Sequence, residues 1–169
     1  FRRFGPQADD GGVMFRATNR NKRSISLDLS TADGIAAFGR QLDDADVLIS
    51  NWRPGVAEKF GLTAASVRSR WPRLVWVRVS GYGQDGPMAD LPSFDSIVQA
   101  RVGTSAAMGE QPILLPFYLA DKTAAMFAAQ SALAALVQRG VTGEGAVVDV
   151  AMVDALAYFD VPDRFAAHQ

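Results

Sequence analysis

Short apolar runs that alternate with helix-like segments are the feature that most constrains the fold of this 169-residue chain. Three runs, 46–50, 74–80 and 146–150, are rich in valine, isoleucine and leucine, as expected of strands buried on both faces. Segments with apolar residues at helical spacing separate them. This alternation predicts an α/β fold with a mainly parallel sheet, flanking helices and right-handed crossovers. Ligands of such sheets bind beyond the carboxyl ends of the strands, so we expect a site there.

Local signals predict the remaining elements of what we expect to be a single domain, residues 1–169. Two glycine-containing turns make residues 1–20 a loop-like lead-in, whereas residues 24–29 alternate as a strand does. Residues 112–117 are predicted to be extended. Six further segments are predicted to be helical: 30–42, a short piece from 56, 63–70, 94–102, 121–138 and 152–160.

The composition excludes several kinds of chemistry. The chain has no cysteine, and its single histidine, His168, is next to last, so no disulfide, thiolate or histidine-rich metal site is expected. His168 is also a poor candidate for the base of a serine nucleophile. Asp43, Asp44 and Asp46 precede a buried strand, where we expect a helix end and a polar turn, and no metal site.

Charge and hydropathy exclude two kinds of partner. The net charge is -1, so no nucleic-acid surface is expected, and no apolar run approaches the ~20 residues of a membrane span. A cluster of four cations is either a solvated face or an anion site. These cations are Arg16, Arg20, Lys22 and Arg23. Phe1 opens the chain without a signal-peptide pattern, and we expect a piece of a longer, cytoplasmic protein.

Asp121 is the main catalytic candidate. It follows the apolar residues 117–120 and lies in the first predicted turn of a long alanine-rich helix. A helix start would lower the pKa of its carboxyl and hold it ionised, which capping alone explains. Alternatively, the neighbouring alanines would leave a small, poorly hydrated recess in which the carboxylate is a nucleophile. No Walker loop or GxSxG elbow is present, and Gly81-Tyr82-Gly83 is too short for a phosphate cradle.

Five stretches within residues 18–156 resemble, in the same order, the class III coenzyme A (CoA) transferases, or CaiB/BaiF group. The most characteristic are Asn51-Trp52-Arg53-Pro54-Gly55, Ser80-Gly81-Tyr82-Gly83-Gln84 and Ala120-Asp121. The resemblance implies a Rossmann-like domain that binds CoA. It also implies an enzyme that moves CoA between an acyl-CoA and a carboxylic acid. Acyl-CoA and CoA are then substrates, and no tightly bound cofactor is expected.

The resemblance also implies roles for individual residues. Asp121 matches the family's nucleophile, which would carry first the acyl group and then CoA as covalent intermediates. For Trp52, simple core packing is an equal alternative. Five residues are implied to lie on the CoA side: Lys22, Asn51, Trp52, Arg53 and Lys59.

Phe94 and Asp95 match the substrate side of the family's site. In the racemases of this family, a histidine directly before an aspartate moves the α proton, and Phe94 stands at the position of that histidine. Phenylalanine cannot exchange a proton, so the transferase is favoured over the racemase. Asp95 is expected to orient substrate or support the site, with a helix N-cap as the alternative. A non-catalytic CoA-binding or scaffold module is the third reading.

The family further implies a homodimer whose two chains are threaded through one another. This chain departs from the family pattern because Ala124 and Ala125 occupy a stretch that commonly contains a glycine. The alanines would either narrow the pocket or tighten helix packing. The family's first strand and a glycine-rich loop are also absent from this segment. We therefore expect a fragment of a larger interlocked-dimer protein, able to fold without necessarily being active.

Overall fold

The structure is a computed structural model that describes residue 3 and residues 5–8, 11–105 and 111–166. Twelve elements are present in these residues. The strands are β1 (Gln7–Ala8), β2 (Gly11–Gly12), β3 (Val47–Ser50), β4 (Val75–Ser80) and β5 (Val147–Ala151). The helices are α1 (Val13–Thr18), α2 (Ala32–Asp43), α3 (Ala64–Arg70), α4 (Asp95–Val102), α5 (Leu119–Thr142) and α6 (Met152–Ala166), with a 3-10 helix at Ala57–Phe60.

The main sheet is parallel, in the order β3-β4-β5, and helices flank it. Val47 aligns with Val75 across the first pair of strands, and Trp76 aligns with Val147 across the second. This arrangement confirms the predicted α/β fold with a parallel sheet. β1 and β2 form a separate antiparallel pair that leads into α1.

Successive residues of the central strand β4 enter opposite layers of the core, because side chains alternate along a strand. Val75 and Val77 are fully buried and pack with Ala128, Ala132 and Ala135 of α5. Trp76, also fully buried, packs on the other face with a cluster from α2, α3 and the loops around them. The sheet is therefore covered on both faces, which explains its nearly continuous apolar sequence.

The alanine enrichment of α5 follows from this packing. Ala128, Ala132 and Ala135 recur at intervals of four and three residues, so their small side chains lie on one face of the helix. The helix ends at Gly143, whose φ of +80° is the left-handed conformation that glycine adopts without strain. Near this end, Arg139 pairs with Asp46 at 2.7 Å and ties the helix to the start of β3.

Two predictions at the amino-terminal side are wrong. Residues 24–29 form no strand; Ile25 is exposed and no neighbouring strand pairs with the segment in the described part of the chain. Alternation alone cannot make a strand without a partner. The lead-in is also not merely loop-like, since it contains β1, β2 and α1, and Pro6 accepts a hydrogen bond from the Val13 N–H at 3.0 Å.

The other boundaries agree with the prediction to within a few residues at most ends. α2 is capped as expected, with the Thr31 hydroxyl accepting from the Gly34 N–H at 3.1 Å. Residues 112–117 lie outside any helix or strand. α5 starts two residues before Asp121 and runs to Thr142, and α6 continues to Ala166.

The acidic cluster before β3 belongs to a helix end and a turn, as predicted. Asp43 accepts a hydrogen bond from the Trp71 indole at 2.7 Å, and Asp46 pairs with Arg139. Among the residues described, no group of histidine, cysteine and acidic side chains is placed to hold a metal ion. His168 lies outside the described residues. A search of the same residues finds no helix with the length and hydropathy needed to cross a bilayer.

Candidate active site

A cleft of about 340 Å³ lies beyond the carboxyl ends of β3 and β4, where the parallel topology predicts a ligand site. The segment after β3 forms one side, and the residues that end β4 form its floor. The loop before α4 and the first turn of α5 form the other side. Six of the predicted site residues line it: Asn51, Trp52, Arg53, Phe94, Asp95 and Asp121.

Asp121 occupies the first turn of α5 but does not cap the helix. The residue preceding α5 is Tyr118, which provides no side-chain cap. The backbone N–H of Asp121 donates to Oδ2 of Asp95 at 3.0 Å, so a carboxylate from α4 satisfies the start of α5. Within the described residues, the Asp121 carboxylate itself has no hydrogen-bond or ion-pair partner. The capping explanation of Asp121 is therefore wrong.

The pKa of the Asp121 carboxyl is raised above its ordinary value, first by partial loss of hydration and second by the nearby charge of Asp95. The prediction of a lowered pKa is wrong. That prediction assumed that backbone N–H groups at the helix start would stabilise the ionised carboxylate of Asp121. The Asp121 N–H instead donates to Asp95. A raised pKa makes the ionised carboxylate a better base and a better nucleophile once its proton is lost.

The alanines on either side of Asp121 do not form the small apolar recess that was predicted around its carboxylate. Ala120 and Ala124 are buried in the core, whereas Asp121 and Ala125 are exposed, because neighbouring positions on a helix face different directions. Ala124 consequently tightens the packing of α5 and does not line the cleft. The desolvation at Asp121 comes from the walls of the cleft.

Asp95 is the central residue of a buried polar network that sequence reasoning did not assign. It is the first residue of α4, and its Oδ1 accepts from the Gln99 amide at 2.5 Å. The same amide of Gln99 donates to the Phe117 carbonyl at 3.2 Å, and its oxygen accepts from the Leu115 N–H at 3.0 Å. The network thus joins α4, the 111–118 segment and α5. The four-residue spacing of Asp95 and Gln99 was the signal that could have identified it.

The N-cap alternative for Asp95 is not what the structure shows. Phe94 occupies the cap position of α4, and the Asp95 side chain reaches instead to the start of α5. Asp95 is buried, whereas Phe94 is 68% exposed and lines the cleft. The pair therefore presents an apolar ring to the cleft and a supporting carboxylate beneath it.

Trp52 packs in the core and also reaches the cleft, so its predicted place on the CoA side stays a prediction. Its ring meets Phe38 and Phe60 edge to face, with centroids 6.1 and 5.6 Å away, and it packs against the core. It also lines the cleft. Asn51 and Arg53 beside it are exposed, so their polar groups are available to a ligand.

Lys22 and Lys59 do not line the cleft. The Lys22 ammonium donates to the Thr18 carbonyl at 2.8 Å and to the Asn19 side chain at 3.2 Å, at the end of α1. Lys59 lies exposed on the 3-10 helix. Their assignment to CoA stays a prediction.

A second hollow, of about 350 Å³, lies on the other side of Asp121. Phe94, Asp95 and Asp121 line both hollows, so the Asp121 carboxylate stands between them. The remaining wall comes mainly from the 111–118 segment. The apolar approach to Asp121 in the sequence was the signal for this hollow.

Comparison with known proteins agrees with this arrangement of fold and cleft. The model of the family described as CoA-transferase family III matches residues 1–166. The chain is 38% identical over 145 residues to a probable fatty acyl-CoA transferase of Mycobacterium tuberculosis, a match that covers 84% of this chain and 37% of that protein. It is 39% identical over 140 residues to the succinyl-CoA–D-citramalate CoA-transferase of Chloroflexus aurantiacus, covering 81% of this chain and 35% of that enzyme.

Solved structures give the same result. The crystal structure of a CaiB/BaiF family protein from Brucella suis superposes with a TM-score of 0.89 at 28% identity, covering 99% of this chain and 47% of that one. The chain belongs to CoA-transferase family III. It spans well under half the length of the curated relatives it matches first.

Proposed function

We propose that this chain carries the catalytic nucleophile and part of the CoA site of a CoA transferase. The enzyme would move CoA between an acyl-CoA and a carboxylic acid through covalent intermediates on Asp121. The observation that supports this function best is the position of Asp121. Its carboxylate has no partner among the described residues and stands between two hollows at the carboxyl edge of a parallel sheet.

The first half of the reaction transfers CoA from the acyl donor to Asp121 in two steps. An oxygen of Asp121 attacks the thioester carbonyl, the carbon–sulfur bond breaks, and CoA leaves as a thiolate while the acyl group stays as a mixed anhydride. The thiolate then attacks the aspartyl carbonyl of the anhydride. The donor acid leaves as a carboxylate, and an aspartyl-CoA thioester remains.

The second half reverses these steps with a new acid. The incoming carboxylate attacks the aspartyl thioester, which gives a second anhydride and again a CoA thiolate. Attack of the thiolate on the new acyl carbonyl forms the product thioester and frees Asp121. Both intermediates are hydrolysed easily, so water must be kept from the site during turnover.

The residues that line the cleft support the assignment of the CoA arm to it. Arg53 is the cation among the residues that line it, and Trp52 offers an apolar surface to the pantetheine or adenine. Asn51 adds amide donors and acceptors. Lys22 and Lys59, outside the cleft, would meet the phosphates, which are charged groups at the far part of a long ligand.

A racemase is the alternative within the family. It requires a second proton carrier, and the side chain of Phe94, at the matching position, is an exposed hydrocarbon ring that lines both hollows. Deuterium uptake at the α carbon of an acyl-CoA would favour this alternative. A non-catalytic CoA-binding module would show neither uptake nor an adduct.

Intact mass measurement of the full-length protein after mixing with a panel of acyl-CoAs tests the function. We expect a covalent mass increment that hydroxylamine removes, converting the Asp121 carboxyl to a hydroxamate. Asp121→Asn should abolish the increment and reduce transfer at least ~1,000-fold, as expected when a covalent nucleophile is lost. Asp33→Asn is the matched control, because Asp33 lies in the first turn of α2, away from the cleft. An unchanged increment in Asp121→Asn would contradict the mechanism.

We also propose that the full protein is a homodimer and acts in the cytoplasm, without a tightly bound cofactor. In support of an interface, α5 exposes a series of large apolar side chains that a monomer would leave in water. These are Met126, Leu133, Val137 and Val141. Sedimentation of the full-length protein tests the dimer, and a monomer at micromolar concentration would contradict it.

A further inference from the structure

The second hollow differs from the cleft in the chemistry of its wall. Apolar side chains from the 111–118 segment face it, and several are substantially exposed in this chain. Leu114 is 50% exposed, Phe117 45% and Tyr118 37%, and Phe94 adds its ring at the boundary with the cleft. Exposed apolar residues gathered in one concavity are typical of a surface that meets a ligand.

The charges of the two hollows also differ. Arg53 lines the cleft, whereas the charged residues that line the second hollow are both acidic, Asp95 and Asp121. Lys122, the cation next to Asp121 in sequence, has its ammonium 5.5 Å from the centre of the Phe117 ring and does not line the hollow. The charged groups that line this hollow, among the described residues, are therefore two carboxylates and no cation.

The wall of the hollow is held in place by the buried network. Gln99 accepts from the Leu115 N–H and donates to the Phe117 carbonyl, so the backbone on both sides of Pro116 is fixed. Gln99 is fixed in turn by Asp95, which also caps α5 just below Asp121. The backbone of this wall is thus held, through Gln99, by the same residue that supports the first turn of α5, Asp95. A wall fixed in this way discriminates between ligands better than a mobile one does.

On the basis of the proposed function, we propose that the second hollow binds the acyl group and selects apolar monocarboxylic acids over dicarboxylic acids. The anionic CoA arm then lies in the cleft with Arg53, the reacting carbonyl at Asp121, and the hydrocarbon chain against Leu114, Phe117 and Tyr118. A second carboxylate at the far end of the chain would lie against this apolar wall, where it would lose water without gaining a cation from the lining residues.

Transfer rates with matched acids test this selectivity in the full-length protein. Straight-chain monocarboxylates of four to ten carbons would be compared as acceptors with dicarboxylates of equal length. We expect kcat/KM to rise about fourfold per added methylene until the hollow is filled, the factor expected for burying one methylene. Each dicarboxylate should be at least ~10-fold poorer than its monocarboxylate partner, because its second charge is desolvated without a partner.

Substitutions at Leu114 test whether the selectivity resides in this hollow. Leu114→Arg should raise the ratio of dicarboxylate to monocarboxylate kcat/KM at least ~10-fold, since it supplies the missing cation. Leu114→Gln, polar but uncharged, is the control for charge and should lower monocarboxylate rates without that gain. Ile113→Ala is the control for position, because Ile113 is 55% exposed on the same segment but does not line the hollow. It should leave chain-length preference unchanged.

The outcomes separate this inference from the proposed function. If no acyl-CoA gives an adduct on Asp121, the function itself is wrong and the selectivity falls with it. If adducts and transfer occur but dicarboxylates are preferred, only the inference is overturned. Equal ratios in Leu114→Arg and Leu114→Gln would overturn it as well. If Leu114→Arg does not fold, Leu114→Ala decides, and an unchanged gain per methylene in that variant contradicts the assignment.

Discussion

The start and the middle of α5 are held by different kinds of interaction. In the middle, Ala132 and its neighbours press against the valines of β4 in a wholly apolar contact. At the start, Ala120 also packs in the core, but charge and hydrogen bonds hold this turn in addition, since Asp95 accepts from the Asp121 N–H and from Gln99. One helix is therefore fixed by packing along its length and aimed by a polar network at its first turn.

The difference between these two regions separates stability from chemistry. Apolar packing tolerates little change in volume but does not depend on pH. A buried polar network fixes the geometry of one turn and also transmits charge to the group it supports. Changes at the start of α5 should therefore alter both stability and the reactivity of Asp121, whereas changes in its middle should alter stability alone.

Among the changes that test this difference between the two regions, the largest effect is expected for Asp95→Ala. The substitution removes the acceptor for the Asp121 N–H and leaves the buried Gln99 amide short of a partner. We expect a loss of about 2–4 kcal/mol in the free energy of unfolding, combining a lost cap with an unsatisfied buried group. If Asp121 is the nucleophile as proposed, transfer should fall about 100-fold because the turn that carries it is no longer fixed. Urea denaturation and kcat/KM measure the two effects.

Asp95→Asn distinguishes a positioning role from a purely structural one. The asparagine oxygen can keep one of the two contacts that Asp95 accepts, but its NH2 group would face the other donor, so only part of the stability should return relative to Asp95→Ala. The negative charge is gone, and the pKa of Asp121 should move back toward its ordinary value. A lower pH midpoint of the transfer rate in Asp95→Asn than in wild type is therefore expected. An identical pH profile would show that Asp95 acts on the fold alone.

A smaller effect is expected for Ala132→Leu in the middle of α5. Ala132 is buried against β4, so three extra heavy atoms must displace the helix or the valines. Overpacking of this kind costs about 1–3 kcal/mol. The pH profile of transfer should stay that of wild type, because no charge near Asp121 changes. Ala129→Leu is the control, since Ala129 is exposed on the same helix. A shifted pH midpoint in Ala132→Leu would break the separation of the two regions.

The apolar framework of the fold was predictable from sequence because its signals are local. Three apolar runs became β3, β4 and β5. The Thr31 hydroxyl caps the start of α2, and Gly143 ends α5 in the left-handed conformation. The prediction of a strand at 24–29 was wrong for a physical reason. Alternation is a property of one segment, whereas a strand forms only when a neighbouring strand pairs with it. No local signal reports whether that neighbour is present.

The position of the cleft and six of the residues that line it were predictable from sequence, whereas the hydrogen bonds around Asp121 were not. Parallel topology brings the ends of β3 and β4 together, so Asn51, Trp52 and Arg53 meet Asp121 at one cleft. The direction of the Asp121 pKa depended instead on partial loss of hydration and, second, on the charge of Asp95, which accepts from the Asp121 N–H across 26 residues of sequence. Pairing of that kind is set by tertiary packing and leaves only a faint trace, the spacing of Asp95 and Gln99.

The smallest expected effect is a pH dependence of stability that belongs to Asp121. Its folded-state pKa is raised above 3.8, so the folded protein holds this proton more tightly than the unfolded chain does. The associated stability is fully present below about 3.8 and is lost as pH rises through the folded-state pKa. The loss is small because the side chain is exposed and solvent screens it. Asp121→Asn should remove this loss and flatten the curve relative to Asp33→Asn, as measured by urea denaturation between pH 3 and 7. Parallel curves for the two variants would mean that neither the cleft walls nor Asp95 perturbs the Asp121 carboxyl, and that the start of α5 responds to pH no more than its middle does.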